Sequence, residues 1–353
     1  MRFAGLLLAC IVSAAPLGAQ QAAAPATEAA RKSYQEGMDF LAHNRLPQAL
    51  DSFKRADELE HGKCAACQRQ IISYAPELGD WKAAEAAAAA MLAQAEGPLH
   101  QAETHYQTGI IMTDEGLELH NNALFTRAHE EFAKALALNP NFPLAVYNDG
   151  LALAHLDEDA AATSQFKRYA AMVPPEDLHR QRALFFVRRP EMARAKMAPL
   201  FDITTMDGQR VSLLDLQGKV VLVNFWASWC GPCRDALPHL QKIARKYRGQ
   251  PLVLLNVSLD SSEEAWKQCV KKYKMTWMNY RDGSVGGPLA RLFEVHEMPY
   301  FFAIDGEGVI QWARLGDGLF DKKLKRLVDR TSQGAEVENA GGAANEPAKG
   351  NAK

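Results

Sequence analysis

Cysteines at short, regular spacing are the residues of this sequence best suited to chemistry. Four of the six form two C-x-x-C pairs, Cys64–Cys67 and Cys230–Cys233, while Cys10 and Cys269 stand alone. A disulfide across two intervening residues removes little entropy from the unfolded chain, so neither pair is well suited to stabilising a fold. The spacing therefore favours thiol chemistry or metal binding.

The pair Cys230–Cys233 lies at a junction between two predicted elements. It follows residues 220–225, an apolar and β-branched run typical of a strand buried on both faces. Residues 232–247 have helical periodicity. Cys230 is therefore expected at the start of a helix, where unpaired N–H groups and the positive end of the helix dipole favour a thiolate.

These residues fit a dithiol that exchanges disulfides. Gly231 permits a tight turn, Pro232 suits a first helical turn, and Cys233 is expected to be the more buried thiol. Cys230 would attack a substrate disulfide, and Cys233 would then resolve the mixed disulfide; the reverse direction oxidises a dithiol. The alternatives are a structural disulfide and a zinc half-site, but zinc needs two further ligands, and this half of the chain has no second pair.

The segment GKVVLVNFWASWCGPC at residues 218–233 resembles the TlpA/ResA-like branch of the thioredoxin superfamily, over residues 198–331. The resemblance implies an extracytoplasmic thiol–disulfide oxidoreductase whose only redox group is the Cys230–Cys233 disulfide, with no metal and no other cofactor. It places the family's cis-proline loop at Met298-Pro299, although Pro299 would also fit an ordinary strand edge. The substrate-facing residues that it implies are Trp229, Gly231, Pro232, Met298 and Pro299.

Two positions depart from the family pattern. Asn224 stands where plain thioredoxin has a buried aspartate that passes a proton to the resolving cysteine. Ala236 stands where the TlpA-like branch often has a glutamate. Activation of Cys233 would then depend on water, or on His296 or Glu297, which also fit ordinary loop residues.

The second pair, Cys64–Cys67, opens a predicted helix, and its spacing puts both sulfurs on one helix face. No histidine follows Cys67, so the pattern excludes attachment of a c-type haem. A local disulfide or packed thiols, an electron relay or docking contact, and a metal site all stay open for this pair. Cys269, on a predicted helix with Trp266, is expected to be a buried apolar side chain.

Repeats organise the first half of the chain. One set of alanine, aromatic and proline positions recurs after 34 residues, from Ala128, Phe132, Ala135 and Pro140 to Ala162, Phe166, Tyr169 and Pro174. The same frame appears upstream at Ala49, Phe53 and Ala56, with a degenerate copy 35 residues later at Ala84, Ala88 and Met91. Small residues at fixed positions let two helices pack closely, and each proline ends the second helix of its unit.

The repeat positions resemble tetratricopeptide (TPR) repeats over residues 29–175, as four helical pairs, although the family's tryptophan and leucine-glycine positions are poorly matched. The resemblance implies a concave groove that binds a peptide or a partner protein. A helical scaffold that only spaces or dimerises the rest is the alternative. Residues 176–197 are basic around an apolar centre and are predicted to form a capping helix and a linker.

Strand and helix patterns alternate in the second half. Strands are predicted at residues 220–225, 252–257, 300–304 and 309–313, and helices at 232–247, 262–274 and 319–328. This order predicts a central mixed sheet flanked by helices. The expected fold is thus an all-α TPR-like repeat domain followed by an α/β thioredoxin-like domain.

The two ends of the chain differ from its middle. Residues 1–19 combine a positive start with a short apolar stretch and are typical of a secretory signal peptide, with lipidation at Cys10 as the alternative. Residues 20–28 are predicted as a linker, and residues 332–353 as a disordered tail. The formal net charge of −2 argues against a nucleic-acid partner.

Together these patterns predict an exported, periplasmic or otherwise extracytoplasmic, thiol–disulfide oxidoreductase. By resemblance, it would reduce disulfides of client proteins, including thiol delivery during cytochrome c maturation, and a membrane thiol reductase would supply its electrons. The repeats would bind a partner protein or peptide. The alternatives are a TPR interaction scaffold with a secondary redox dithiol, and a dithiol oxidase.

Overall fold

The computed structural model describes residues 24–43, 45–315 and 321–343. The chain divides into two compact units, residues 1–194 and 195–353. The predictions for the signal peptide, for Cys10 and for residues 344–353 of the tail lie outside the described residues.

Nine α-helices make up the described part of the first unit. They are α1 (Glu28–Ala42), α2 (Leu46–Leu59), α3 (Ala65–Tyr74), α4 (Trp81–Gln94), α5 (Gly97–Leu119), α6 (Asn122–Leu138), α7 (Pro143–His155), α8 (Asp159–Met172) and α9 (Leu178–Arg188). The first eight pack as four consecutive pairs, and α9 packs against α8. This arrangement is compatible with four repeats and a capping helix, and the assignment to the tetratricopeptide family stays a prediction.

A contact between glycine and phenylalanine brings the two helices together in three of the four pairs. In these pairs a Cβ atom added to the glycine would lie only 2.6–2.8 Å from the phenylalanine ring, too close for any larger residue. The contacts are Gly37 with Phe53, Gly109 with Phe132 and Gly150 with Phe166. The repeating phenylalanine of the sequence therefore fills the space that a glycine leaves on the preceding helix.

The second helical pair, α3 with α4, reverses these sizes. Ala88 stands 35 residues after Phe53, and Ile71 stands 34 residues after Gly37. Ile71 and Ala88 are buried in one apolar cluster with Phe53 and Trp81. The large side chain has moved from the second helix to the first, which explains why this copy of the repeat is degenerate.

The second unit is built on a five-stranded mixed sheet. The strands described in this unit, inside and outside that sheet, are β1 (Asp202–Thr204), β2 (Arg210–Ser212), β3 (Val220–Trp226), β4 (Leu252–Ser258), β5 (Met278–Arg281), β6 (Tyr300–Ile304) and β7 (Ile310–Leu315). Its helices are α10 (Gly231–Lys246), α11 (Glu263–Lys272), α12 (Pro288–Leu292) and α13 (Asp321–Ala343). The sheet order is β5-β4-β3-β6-β7, with β1 and β2 forming a separate hairpin.

Strand β3 lies at the centre of this sheet. It is parallel to β4 and antiparallel to β6, and all seven of its residues are buried. The apolar run of the sequence fits this position because neither face of the strand reaches solvent. The predicted thioredoxin-like fold with a central mixed sheet is therefore confirmed.

The sequence patterns did not reveal the β1–β2 hairpin, β5 or α12, each of only three to five residues. Helix α13 continues to Ala343, so it covers residues 332–343, for which the sequence predicts disorder. Alanine and glutamate, which favour helices, recur in this stretch. Among the described residues, no helix is both long and apolar enough to cross a membrane.

Candidate active site

Cys230 lies at the N-terminus of α10, directly after the loop that follows β3. It is the N-cap residue, and its Sγ accepts a hydrogen bond from the backbone N–H of Cys233 at 3.2 Å. The two cysteines form a disulfide, with their Cα atoms 5.2 Å apart. Cys230 is 8% exposed and Cys233 only 1%, so an incoming thiolate reaches Cys230 first.

The substrate-facing residues expected from the sequence surround this helix end and a second loop. Trp229 is 62% exposed, and a Cβ atom added to Gly231 would meet no atom of the described part of the chain within 4 Å. The Met298–Pro299 peptide bond is cis, directly before β6. Met298 packs against the apolar cluster that contains both cysteines of the pair, which links the proline loop to the dithiol.

A buried carboxylate fixes the loop that precedes Cys230. Asp260 follows β4 and is 1% exposed. It accepts hydrogen bonds from the backbone N–H of Ser228 at 3.0 Å, from the Ser228 hydroxyl at 2.6 Å and from the Ser258 hydroxyl at 2.7 Å. Sequence reasoning missed Asp260 because its main partner lies 32 residues away, on the neighbouring strand's loop. The available signal was an aspartate at the carboxyl end of a buried parallel strand.

Three asparagines lie side by side across the parallel strands. Asn224, Asn256 and Asn279 are in register on β3, β4 and β5. The Asn224 amide donates to Asn256 Oδ1 at 3.1 Å, whereas its own Oδ1 is buried and has no hydrogen-bond partner among the described residues. Asn224 therefore offers a fixed acceptor at the position where plain thioredoxin has an aspartate, but an amide cannot take up a proton there.

Neither base suggested by the sequence enters the buried part of the site. His296 and Glu297 are both exposed, in the turn before Met298. Ala236 is buried in the cluster around the cysteines and carries no titratable group. Neither Asn224 nor Ala236 can therefore supply a titratable group to Cys233.

Cys269 is the free cysteine of the described residues, and it is buried on α11 in the cluster that holds the dithiol. Burial raises the pKa of its thiol, and the negative charge of Asp260 adds to this effect. The prediction that Cys269 is a buried, apolar side chain agrees with this environment.

The structure does not place the second pair in this unit. Cys64 and Cys67 form a disulfide at the start of α3, in the first unit. The pair is therefore a disulfide in this structure, and its role as a local staple, an electron relay or a docking contact stays a prediction.

A C-x-x-C disulfide at the start of the helix after the central strand, with a cis-proline before the neighbouring antiparallel strand, defines a thioredoxin-like dithiol protein. Residues 195–313 match the model of the AhpC/TSA family. Thiol-disulfide oxidoreductase ResA of Bacillus cereus is 31% identical over 133 residues, which cover 38% of this chain and 76% of the relative.

Two further proteins show the same likeness. Thioredoxin-like protein YneN of Bacillus subtilis is 31% identical over 137 residues, 38% of this chain and 78% of the relative. The crystal structure of a putative thiol:disulfide interchange protein DsbE from Chlorobium tepidum is 30% identical, with a TM-score of 0.35, and the match covers 39% of this chain and 96% of that one. The chain belongs to the ResA-like family of thioredoxin-fold enzymes and is a thiol–disulfide oxidoreductase.

Proposed function

We propose that this protein is exported and reduces disulfides of client proteins through Cys230 and Cys233. The observation that most supports disulfide exchange at this pair is the position of Cys230 as the N-cap of α10. The N–H of Cys233 points at the Cys230 sulfur, and the positive end of the helix dipole stabilises a thiolate there. The thiolate, not the thiol, is the form that attacks a disulfide.

The proposed exchange transfers two electrons in two steps. The Cys230 thiolate attacks one sulfur of the client disulfide, forms a mixed disulfide and releases the other client sulfur as a thiolate. Cys233 then loses its proton to solvent and attacks the Cys230 sulfur, which releases the second client thiolate. The client gains two thiols, and the protein keeps the Cys230–Cys233 disulfide until a dithiol donor reduces it.

Client recognition is assigned to the surface beside Cys230. The exposed Trp229 ring offers an apolar contact next to the reactive sulfur. The open space around Gly231 and the exposed position of Pro232 let a client backbone approach. Met298 and Pro299 form the second side of this surface.

Further parts of the proposal concern the cellular setting. The signal-like residues 1–19 support a periplasmic or otherwise extracytoplasmic location, where a membrane thiol reductase would be the electron donor. The helical pairs of the first unit would bind a client or partner protein. Thiol delivery in cytochrome c maturation is the proposed pathway, and no cofactor beyond the disulfide is required.

The reduction potential of the Cys230–Cys233 pair tests the direction of exchange. It is measured by tryptophan fluorescence in a Cys64→Ser/Cys67→Ser variant, so that one couple titrates near Trp226 and Trp229. A value close to about −270 mV supports a reductase, whereas a value close to about −120 mV would assign a dithiol oxidase. A pair that shows no reversible couple would leave partner binding by the repeats as the main function.

A further inference from the structure

The disulfide in the first unit repeats the local geometry of the active-site pair. Cys64 is the N-cap of α3, and its Sγ accepts a hydrogen bond from the Cys67 N–H at 3.2 Å. The same contact at Cys230 also measures 3.2 Å, and the Cα atoms are 5.2 Å apart in both pairs. A sulfur at this position faces unpaired helix N–H groups, which favour its thiolate.

The two sulfurs of the first-unit pair also differ in access, in the order found at the active site. Cys64 is 4% exposed and Cys67 is fully buried. Alanines and the partly buried Tyr34 surround them. An attacking thiol therefore meets Cys64 before Cys67, as it meets Cys230 before Cys233.

A purely structural role explains this disulfide poorly. The N-terminus of α3 is already held by Asp57, whose Oδ1 accepts hydrogen bonds from the Cys64 N–H at 3.0 Å and from the Gln68 amide at 3.1 Å. The Gln68 amide also donates to the Gly62 carbonyl at 2.7 Å. A disulfide that closes so short a loop adds little to a helix end with these bonds.

We propose that Cys64–Cys67 is a second exchange-active couple, with Cys64 as the exchanging sulfur and Cys67 as the resolving one. Its partner is a protein dithiol or disulfide. The inference does not depend on the direction proposed for Cys230–Cys233.

The second couple exchanges two electrons with its partner in two steps. The reduced Cys64 thiolate attacks a partner disulfide, bonds to one sulfur and releases the other as a thiolate. The Cys67 thiolate then attacks the Cys64 sulfur, forms the Cys64–Cys67 disulfide and releases the second partner thiolate. Two electrons pass from the pair to the partner, and the two protons of the pair go to solvent. With a partner dithiol as the reductant, the same steps run in reverse.

The first test measures whether the pair is reversibly reduced in the folded protein. The full chain carries Cys230→Ser and Cys233→Ser and is equilibrated in glutathione redox buffers, after which thiols are counted by alkylation and mass. Circular dichroism is recorded on the same samples. Reversible reduction with the helical signal retained supports the proposal, whereas reduction only after loss of the helical signal overturns it.

The second test separates the roles of the two sulfurs. In the same background, Cys67→Ser leaves Cys64 as the one thiol of the pair, and Cys64→Ser leaves Cys67. Mass analysis of peptides separates their adducts from those of Cys269. Oxidised glutathione is the probe, and the rate of mixed-disulfide formation is the readout. We expect Cys64 to react at least about tenfold faster, because only its sulfur combines access with the helix N–H groups. Equal rates, or a faster Cys67, would overturn the assignment.

Discussion

The two C-x-x-C pairs occupy the same kind of helix end in different surroundings. At the active-site pair, the N–H of Cys230 donates to the Ala227 carbonyl at 3.2 Å. At the other pair, the N–H of Cys64 donates to the Asp57 carboxylate at 3.0 Å. The acceptor bonded to the Cys230 N–H is neutral, whereas the carboxylate bonded to the Cys64 N–H carries a charge that opposes a thiolate at Cys64. Helix geometry is therefore common to both pairs, and the electrostatic environment distinguishes them.

Access to partners differs as well. The exposed Trp229 and the cis-proline loop accompany Cys230. Cys64 lies instead among alanines and Tyr34. The comparison thus predicts one broad client site and one couple that accepts a narrower range of partners.

Loss of the attacking sulfur is expected to affect client reduction very differently at the two pairs. Cys230→Ser should lower the rate of client disulfide reduction by several orders of magnitude, because it removes the nucleophile that lies beside the exposed Trp229 and the cis-proline loop. Cys64→Ser should leave that rate unchanged within about twofold. Turnover with a peptide disulfide and a chemical dithiol donor measures both rates. Equal losses of reduction rate in the two variants would show that both pairs are required for the same reaction.

Removal of the buried carboxylate beside the active-site loop gives the next largest effect. Asp260→Ala leaves the Ser228 N–H and two serine hydroxyls without their acceptor, so we expect a loss of about 4 kcal/mol in unfolding free energy. Urea unfolding followed by tryptophan fluorescence measures it. Asp57→Ala, which removes one helix-end acceptor in the first unit, should cost only about 1 kcal/mol. A similar loss of unfolding free energy in both variants would contradict the view that Asp260 fixes the loop before Cys230.

The contrast between Asp260 and the dithiol shows what a sequence can and cannot predict. The dithiol, its helix and β3 were predictable because their signals are local: a motif of four residues, an apolar run and helical periodicity. Asp260 acts on Ser228 through a contact that exists only once β3 and β4 are paired. The exchange of large and small side chains between Ile71 and Ala88 was not predictable for the same reason. It keeps the packing between two helices while the residue types at the repeat positions change.

Mild acid should lower the free energy of unfolding of the first unit through the titration of His155. Burial lowers the pKa of His155 in the first unit to about 4, while in the unfolded chain it titrates near 6.5. A lowered pKa means that the unfolded state binds the proton first, so this contribution is present above about pH 6.5 and is lost as the pH falls toward 4. The loss amounts to about 3 kcal/mol.

Asp149, whose pKa burial raises, changes stability in the opposite direction, so a variant must isolate the histidine. His155→Phe keeps the ring stacked on Phe125 and removes the titration. Circular dichroism should therefore show a flatter acid dependence for the variant than for the unmodified chain. Tryptophan fluorescence serves as the internal reference because it reports mainly on the second unit, which holds five of the six tryptophans. Identical acid profiles for the two proteins would contradict the assignment to His155.

The smallest expected effect comes from removing the charge of Asp57 while keeping an acceptor for the Cys64 N–H. Asp57→Asn keeps an amide oxygen to accept the Cys64 N–H but removes the negative charge. Reduced Cys64 should then be alkylated several-fold faster at neutral pH, since its thiolate is no longer opposed. Asp51→Asn, an exposed change on the same helix, is the matched control and should leave the rate unchanged. If both variants alkylate at the unmodified rate, the charge of Asp57 does not govern Cys64, and the two pairs must differ through access alone.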